Sequence, residues 1–327
     1  MLKTYGELRT THYSDADEGR AVRLTEEKAV ELLNDLIREA NITTKQAVMS
    51  IPLRSSFVTL ITFPPMTDAE LAKAVPLEAR RYIPVPISEV VIDWWSVPEG
   101  LRLRSRQEME TEKELEHEEV LLVAIHKDVI EKYRALSQKL ELQIRAFEIE
   151  VFSTVRSVIE RSADPLLIVD LGASSTKMIM VDRGIIRSAH SIDQGAQDLT
   201  LAISRSSGIS FSRAEILKKE IGLSPKPEHK EIAGVIEPLI DSIFTETSRV
   251  ALDYRRRYNR FMSRVLLTGG GALLDGIVEQ AVRQFGVEVE RAHAFSKVQY
   301  PAFLEPVLKN VGPNFAVASG LALRELE

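Results

Sequence analysis

A short polar turn between two apolar runs carries the residues best suited to chemistry. The apolar run 166–169 leads into Asp170, and a second apolar run begins at Met178. This pattern predicts a strand, a tight turn and a second strand. Successive N–H groups in such a turn bind phosphate, and small hydroxyl side chains let a polyanion approach. The residues of this kind are Gly172, Ser174, Ser175 and Thr176.

Asp170 ends the first of these strands. Its carboxylate could orient a magnesium-bound water, because Mg²⁺ prefers oxygen ligands. An ordinary hairpin with a polar turn fits the same residues equally well, so this stretch leaves both interpretations open.

A second turn consists of three consecutive glycines. Residues 265–267 predict a strand, Gly269, Gly270 and Gly271 form the turn, and a helix is expected after it. Three glycines present no side chains, so a flat ligand can lie against bare backbone. The positive end of the following helix would favour an anion. By itself, one glycine-rich loop is weak evidence for a ligand.

Between the two turns, residues 214–222 predict a helix. It places Glu215 and Lys218 three positions apart on one face. The pair could hydrogen-bond a ribose or a purine edge, although a solvated helix face is the more frequent use of such a pair. If the three elements bind one ligand, the turn near Ser174 and the three glycines must face each other across one crevice.

Taken in this order, the three elements resemble the second half of an actin-like ATPase. The first half narrows the resemblance: residues 78–84 read Glu-Ala-x-x-Tyr-Ile-Pro, and residues 314–324 close the chain. Both stretches are similar to the PilM family of type IV pilus assembly, relatives of the division protein FtsA. The resemblance implies an α/β class, an actin-like (ribonuclease H-like) two-lobe fold with an inserted FtsA-type subdomain, and ATP and Mg²⁺ as cofactors.

The resemblance also implies a division of the chain. It assigns 1–45 to the N-terminal part of the first lobe, 46–147 to the inserted subdomain, 148–165 to a connecting helix, 166–309 to the nucleotide-binding second lobe and 310–327 to a C-terminal helix that returns to the first lobe. ATP is expected in the cleft between the lobes. The superfamily's first phosphate turn, Asp-Ile-Gly-x-x-x-x-Lys, has no counterpart before Asp170. We therefore expect either a chain that lacks its start or a member that has lost this turn, with at most weak ATPase activity.

Further roles come from the resemblance alone. Glu150 matches the acidic residue that relatives place near the attacking water, although a carboxylate favoured by a helix start explains it equally well. The groove beside the inserted subdomain is expected to take the cytoplasmic N-terminal peptide of PilN, near Tyr82, Ile83 and Pro84. Through PilN the protein would join the pilus inner-membrane complex.

Two other functions stay open at this point. An FtsA-like filament protein would act by self-association. A phosphotransferase of the sugar-kinase branch would need a catalytic Asp on a loop between the lobes. Asp193 is the nearest candidate for that base, and its surroundings are more typical of a turn.

Composition sets the outer limits. The chain has 327 residues, of which 44% are hydrophobic and 28% charged, as in globular proteins. A net charge of −6 argues against nucleic-acid binding, and the lack of cysteine excludes disulfides. Because we find neither a signal peptide nor an apolar run long enough to span a bilayer, we expect a cytoplasmic protein with no direct membrane anchor, recruited to the inner membrane through partners.

Two local expectations concern less regular stretches. Residues 1–24 alternate loosely between apolar and polar and predict a short strand pair. The stretch from Arg102 to Glu119 is dense in charged residues and predicts an exposed hairpin tip or a partly disordered loop.

Overall fold

The described residues contain both helices and strands, with parallel strand pairs connected through helices, so the α/β class is confirmed. The structure is a computed structural model, and it describes residues 1–105, 117–160 and 163–324. The strands are β1 (Gln46–Ile51), β2 (Ser56–Phe63), β3 (Val90–Ser96), β4 (Glu118–His126), β5 (Gln143–Ile149), β6 (Leu166–Leu171), β7 (Thr176–Asp182), β8 (Ile185–Ile192), β9 (Arg264–Thr268) and β10 (Glu288–Arg291). The helices are α1 (Glu26–Glu39), α2 (Asp68–Glu78), α3 (Lys127–Lys139), α4 (Glu150–Val158), α5 (Ala196–Ser207), α6 (Phe211–Ile221), α7 (Lys230–Tyr258), α8 (Ile277–Phe285), α9 (Glu305–Val311) and α10 (Ala316–Arg324).

The described strands form three sheets. The large sheet has the strand order β10-β9-β6-β7-β8, the small sheet pairs β1 with β5, and the three-stranded sheet has the order β2-β4-β3. In the large sheet, β6 is buried along its entire length, which explains its unbroken apolar run. Since β6 and β9 run parallel with Asp170 opposite Thr268, the turns that follow the two strands emerge at the same sheet edge.

The small sheet positions one acidic residue. Its strands β1 and β5 run parallel, and β5 ends at Ile149, directly before α4. Glu150 is therefore the first residue of that helix. Its carboxylate accepts a hydrogen bond at 2.8 Å from the backbone N–H of Leu53, which follows β1. The ends of the two strands and the start of α4 are thus tied together at Glu150.

The three-stranded sheet packs against α2. Thr67 caps this helix in a reciprocal capping box with Glu70. Leu71 and Val75 point from α2 into a core that also contains Ile83. This core is separate from the one above the large sheet.

The predicted strand pair in residues 1–24 is wrong. The only regular element there is a 3₁₀ turn, Thr10–Tyr13. The backbone N–H of Leu2 donates to the carbonyl of Gln299 at 2.8 Å, and the Tyr5 ring lies 5.7 Å from that of Phe315. The segment therefore packs against the C-terminal part of the chain and has no strand partner.

The exposed hairpin tip or partly disordered loop expected between Arg102 and Glu119 stays a prediction, and the structure describes only the two ends of this stretch. Leu103 is buried in the core of the large sheet, and Glu119 is only 3% exposed. Arg187 of β8 donates to the Glu119 carboxylate at 2.8 Å, and this partner makes burial of the charge tolerable. Residues 106–116 lie outside the described part of the chain.

In the ranges that the structure describes, no helix is both long and apolar enough to cross a bilayer. The division of the chain into two lobes, an inserted subdomain and two helical segments stays a prediction. The three sheets and their strand orders do not by themselves define where one segment ends and the next begins.

Candidate functional site

The two predicted turns lie against each other. Gly269 has a φ of +78°, and a Cβ atom there would overlap a carboxylate oxygen of Asp170. A Cβ atom at Gly271 would lie 2.7 Å from the Cβ of Leu171. Glycine is therefore required at both positions for the turns to make contact.

Hydrogen bonds fix the polar turn after β6. Within it, the N–H of Gly172 donates to the carbonyl of Ser175 at 3.0 Å. The carbonyls of Gly172 and Ala173 accept hydrogen bonds from the first two N–H groups of α5, each at 2.9 Å. Thr176 is fully buried, and its hydroxyl donates to the carbonyl of Gln194 at 2.8 Å. Thr176 thus holds the turn from behind, while Ser174 remains partly exposed.

A cavity of about 320 Å³ opens where the two turns meet α6. It brings together six residues from separate parts of the chain: Gly172, Ala173, Glu215, Lys218, Gly270 and Gly271. Five of these are predicted ligand-binding residues. Of the other predicted residues, Asp170 and Gly269 meet beside this cavity without lining it.

Glu215 and Lys218 do not lie on a solvated helix face. Each is only 4% exposed, and the ammonium group lies 2.7 Å from the carboxylate. The same carboxylate oxygen, Oε2, accepts from the Thr200 hydroxyl at 2.6 Å. Burial works to raise the pKa of Glu215, but hydrogen bonds from Lys218 and Thr200 hold it below its ordinary value. The carboxylate is therefore charged, and Oε1 has only a looser contact, with Lys219 at 3.4 Å.

A second, smaller cavity of about 190 Å³ lies on the other side of the polar turn. The predicted residues that line it are Glu150, Gly172, Ser174 and Ser175. Lys177 also lines it, with its ammonium 3.1 Å from Asp170 and 3.3 Å from Glu150. Burial works to lower the pKa of Lys177, but the two carboxylates raise it overall. Lys177 is therefore a fixed cation between the large sheet and the start of α4.

The residues at these cavities that were not predicted as site residues include Lys177, Gly19 and Asn314. Lys177 could have been predicted from the sequence, because a hairpin around this turn pairs it directly with Asp170. Gly19 and Asn314 line the larger of the two cavities from opposite ends of the chain. Nothing in their local sequence indicates this, since only the tertiary fold brings them there.

A third cavity, of about 970 Å³, lies away from both turns. It lies where the three-stranded sheet, α4 and the turn between β7 and β8 meet. Its apolar lining includes Trp95, Leu101, Leu121, Phe152, Ile159 and Ile185. We call it the subdomain groove. Tyr82 is exposed but does not line it.

The candidate base of a sugar kinase lies away from these cavities. Asp193, the possible sugar-kinase base, is exposed and lines none of the three cavities. Among the residues that the structure describes, no three acidic or histidine side chains converge to hold a metal ion.

Comparison with known proteins gives a matching family model and several similar solved structures. The family model described as type IV pilus assembly protein PilM matches residues 20–326. Among solved structures, the chain is similar to the PilM-PilN type IV pilus biogenesis complex, with a TM-score of 0.76 and 24% identity, over 91% of this chain and 85% of that one. This likeness confirms the predicted fold.

Two other solved structures are more distant. One is the ethanolamine utilization protein EutJ from Carboxydothermus hydrogenoformans, with a TM-score of 0.45 and 22% identity over 60% of each chain. The other is MreB5 of Spiroplasma citri bound to ADP, with a TM-score of 0.47 and 18% identity over 62% of this chain and 66% of that one.

Proposed function

Because the chain belongs to the PilM family of type IV pilus assembly proteins, we propose that it is a nucleotide-binding scaffold of the pilus machinery that binds the cytoplasmic tail of PilN. The observation that carries nucleotide binding is the cavity of about 320 Å³, where Gly172, the Glu215–Lys218 pair and Gly270–Gly271 converge. Its volume is at the lower end of the range for small-molecule sites.

The groups at the two neighbouring cavities suit different parts of ATP. Gly172 leaves room at the polar turn because it has no side chain, and the hydroxyls of Ser174 and Ser175, which line the smaller cavity, offer donors to the β- and γ-phosphates. Bare backbone at Gly270–Gly271 suits the flat purine. The second oxygen of Glu215 is available to accept a ribose hydroxyl, while Lys218 keeps the carboxylate charged. Thr176 supports the phosphate turn from behind.

Magnesium would enter with the nucleotide. Mg²⁺ keeps several waters and is usually held by one or two carboxylates together with substrate phosphates. Asp170 and Glu150 are the two carboxylates at the phosphate end, and Lys177 lies between them. Asp170 would hold the ion through water, and Glu150 would lie near the attacking water. With one phosphate turn in the described residues, we expect at most weak ATP hydrolysis, since phosphoryl transfer depends on charge stabilisation by such groups.

The subdomain groove is the surface we assign to the PilN tail. A solved structure with 24% identity is a complex with PilN, and an extended peptide can place apolar side chains in a groove of this kind. Trp95 is 38% exposed at the groove, and its ring lies 5.2 Å from that of Phe152. Bound in this way, the protein would act at the cytoplasmic face of the inner membrane.

Calorimetry with two ligands tests the proposal. We expect ATP to bind, and we expect a synthetic PilN-tail peptide to bind with micromolar affinity. Trp95→Ala should weaken the peptide at least about tenfold, because buried aromatic anchors dominate peptide interfaces. Tyr82→Ala is the matched control, since Tyr82 is 42% exposed but lies outside the groove.

The possible results separate the two halves of the proposal. No heat with ATP would remove the nucleotide site. No heat with the peptide would remove the partner. If both variants lose the same peptide affinity and keep their melting temperatures, the peptide does not bind in the subdomain groove.

A further inference from the structure

A segment near the start of the chain contacts α5 and α6, two helices beside the cavity of about 320 Å³. We call residues 15–21 the N-terminal strap. It precedes α1, which lies more than 150 positions before α5 and α6 in the chain. The backbone N–H of Ala21 donates to the side chain of Gln197 on α5 at 3.1 Å. The strap therefore joins two distant parts of the chain beside the cavity.

Three further contacts hold the strap to α6. Asp17 accepts a hydrogen bond from the Ser212 hydroxyl at 2.7 Å. Glu18 forms an ion pair with Lys219 at 2.8 Å. The guanidinium of Arg20 lies 4.2 Å above the ring of Phe211, close enough for a cation–π contact. All three partners belong to the helix that carries Glu215 and Lys218.

Gly19 is the strap residue at the cavity itself. It lines the cavity with Glu215 and Gly270, and its φ is +90°. A Cβ atom at this position would overlap the carboxylate group of Glu215. The strap backbone thus covers the Glu215 carboxylate on one side, while Lys218 holds it from within the helix. Glycine is required for this close approach.

We propose that the N-terminal strap acts as a clasp on the nucleotide site. The strap positions Glu215, and it must detach from α6 before nucleotide can leave. The proposal rests on the proposed function, because it concerns release of the same adenine nucleotide. The contacts of the clasp are polar and partly exposed: the side chains of Glu18 and Lys219 are 40% and 55% accessible. Such contacts open readily and weaken as salt screens them.

The test measures how fast bound ADP leaves the chain. Radiolabelled ADP is bound, excess unlabelled ADP is added, and retained label is followed with time. Asp17→Asn combined with Glu18→Gln should accelerate release about tenfold, because the acceptor of the Ser212 hydrogen bond loses its charge and the ion pair between Glu18 and Lys219 is lost, together with the ion pairs to Arg20 and Arg9. Glu39→Gln is the matched control, since it removes an exposed ion pair with Arg38 on α1.

Two readouts distinguish a clasp from a general loss of stability. Raising ionic strength from about 0.05 M to about 0.5 M should accelerate release from the unmodified chain more than from the double variant. Hydrogen exchange at the strap amides, measured without nucleotide, should become about tenfold faster in the double variant and stay unchanged in Glu39→Gln.

The outcomes also separate the clasp from the site itself. If ADP binds both proteins and leaves both at the same rate, the clasp is wrong and the nucleotide site stands. If ADP binds neither protein, the proposed function fails, and the clasp fails with it.

Discussion

The large sheet and the small sheet both contain a parallel strand pair, but they supply different numbers of candidate ligand groups. Each holds a parallel strand pair, β9–β10 in the large sheet and β1–β5 in the small one. In the large sheet β9 also pairs with β6, which leads into the phosphate turn. Among the described residues, β1 pairs with β5 alone. The large sheet has the β6–β7 hairpin beside its parallel pair, and the turn of that hairpin carries the candidate phosphate ligands. The small sheet has no such hairpin among the described residues, so it offers few ligand groups.

The polar groups of the candidate site are distributed accordingly. The large sheet and the helices after it carry the phosphate turn, the three glycines and the Glu215–Lys218 pair. The small sheet contributes Glu150 at the start of α4. We therefore expect nucleotide affinity to depend on the large sheet, and substitutions at the small sheet to affect hydrolysis at most.

The largest expected effect is that of Gly271→Val. Its side chain would overlap Leu171 and separate the two turns. Overpacking of this kind should lower the free energy of unfolding by about 3 kcal/mol, measured in urea, and ATP binding should be lost in calorimetry. Gly234→Ala is the matched control, because that glycine of α7 has nothing within 4 Å of an added Cβ. It should stabilise the protein by about 1 kcal/mol. Retained ATP binding in Gly271→Val would show that contact between the turns is not needed.

Lys218→Met should have the next largest effect. It leaves the buried Glu215 carboxylate without its ammonium partner, which should cost about 2 kcal/mol of stability. ATP affinity should fall about twentyfold, because Glu215 would no longer be held charged in place.

A double variant separates these two consequences. Adding Glu215→Leu to Lys218→Met removes the unpaired charge, so the free energy of unfolding should return to near its original value. ATP affinity should stay low. Recovery of affinity along with stability would mean that the pair only supports the fold.

Glu150→Gln should have the smallest effect on binding. Gln keeps an oxygen that can accept from the Leu53 N–H, so the ties at the small sheet survive. We expect ATP affinity to change less than about threefold and any measurable phosphate release to fall. An affinity loss as large as that of Lys218→Met would contradict the comparison, because the small sheet would then carry as much of the site as the large one.

Local pattern was sufficient for much of the fold and the site. The buried run of β6 and the glycine turn have short-range causes, and both lie where the sequence predicts them. Glu215 and Lys218 could be named from their spacing. Their burial could not, because it depends on α5 supplying Thr200 and on a strap from the other end of the chain.

Other features depend on contacts that no local pattern contains. Residues 1–24 resemble strands, but the N–H of Leu2 finds its acceptor at Gln299. Glu119 stands in a charged stretch, yet Arg187 makes its burial possible. Gly19 could not be recognised as a site residue, since its need for glycine arises only against the Glu215 carboxylate.

A crystal structure of the chain with Mg²⁺ and a non-hydrolysable ATP analogue tests the central claim most directly. We expect the phosphates on the turn at Gly172–Ser175, and the nucleoside between the Glu215–Lys218 pair and Gly270–Gly271. An analogue bound anywhere else, or none bound at a saturating concentration, would contradict it.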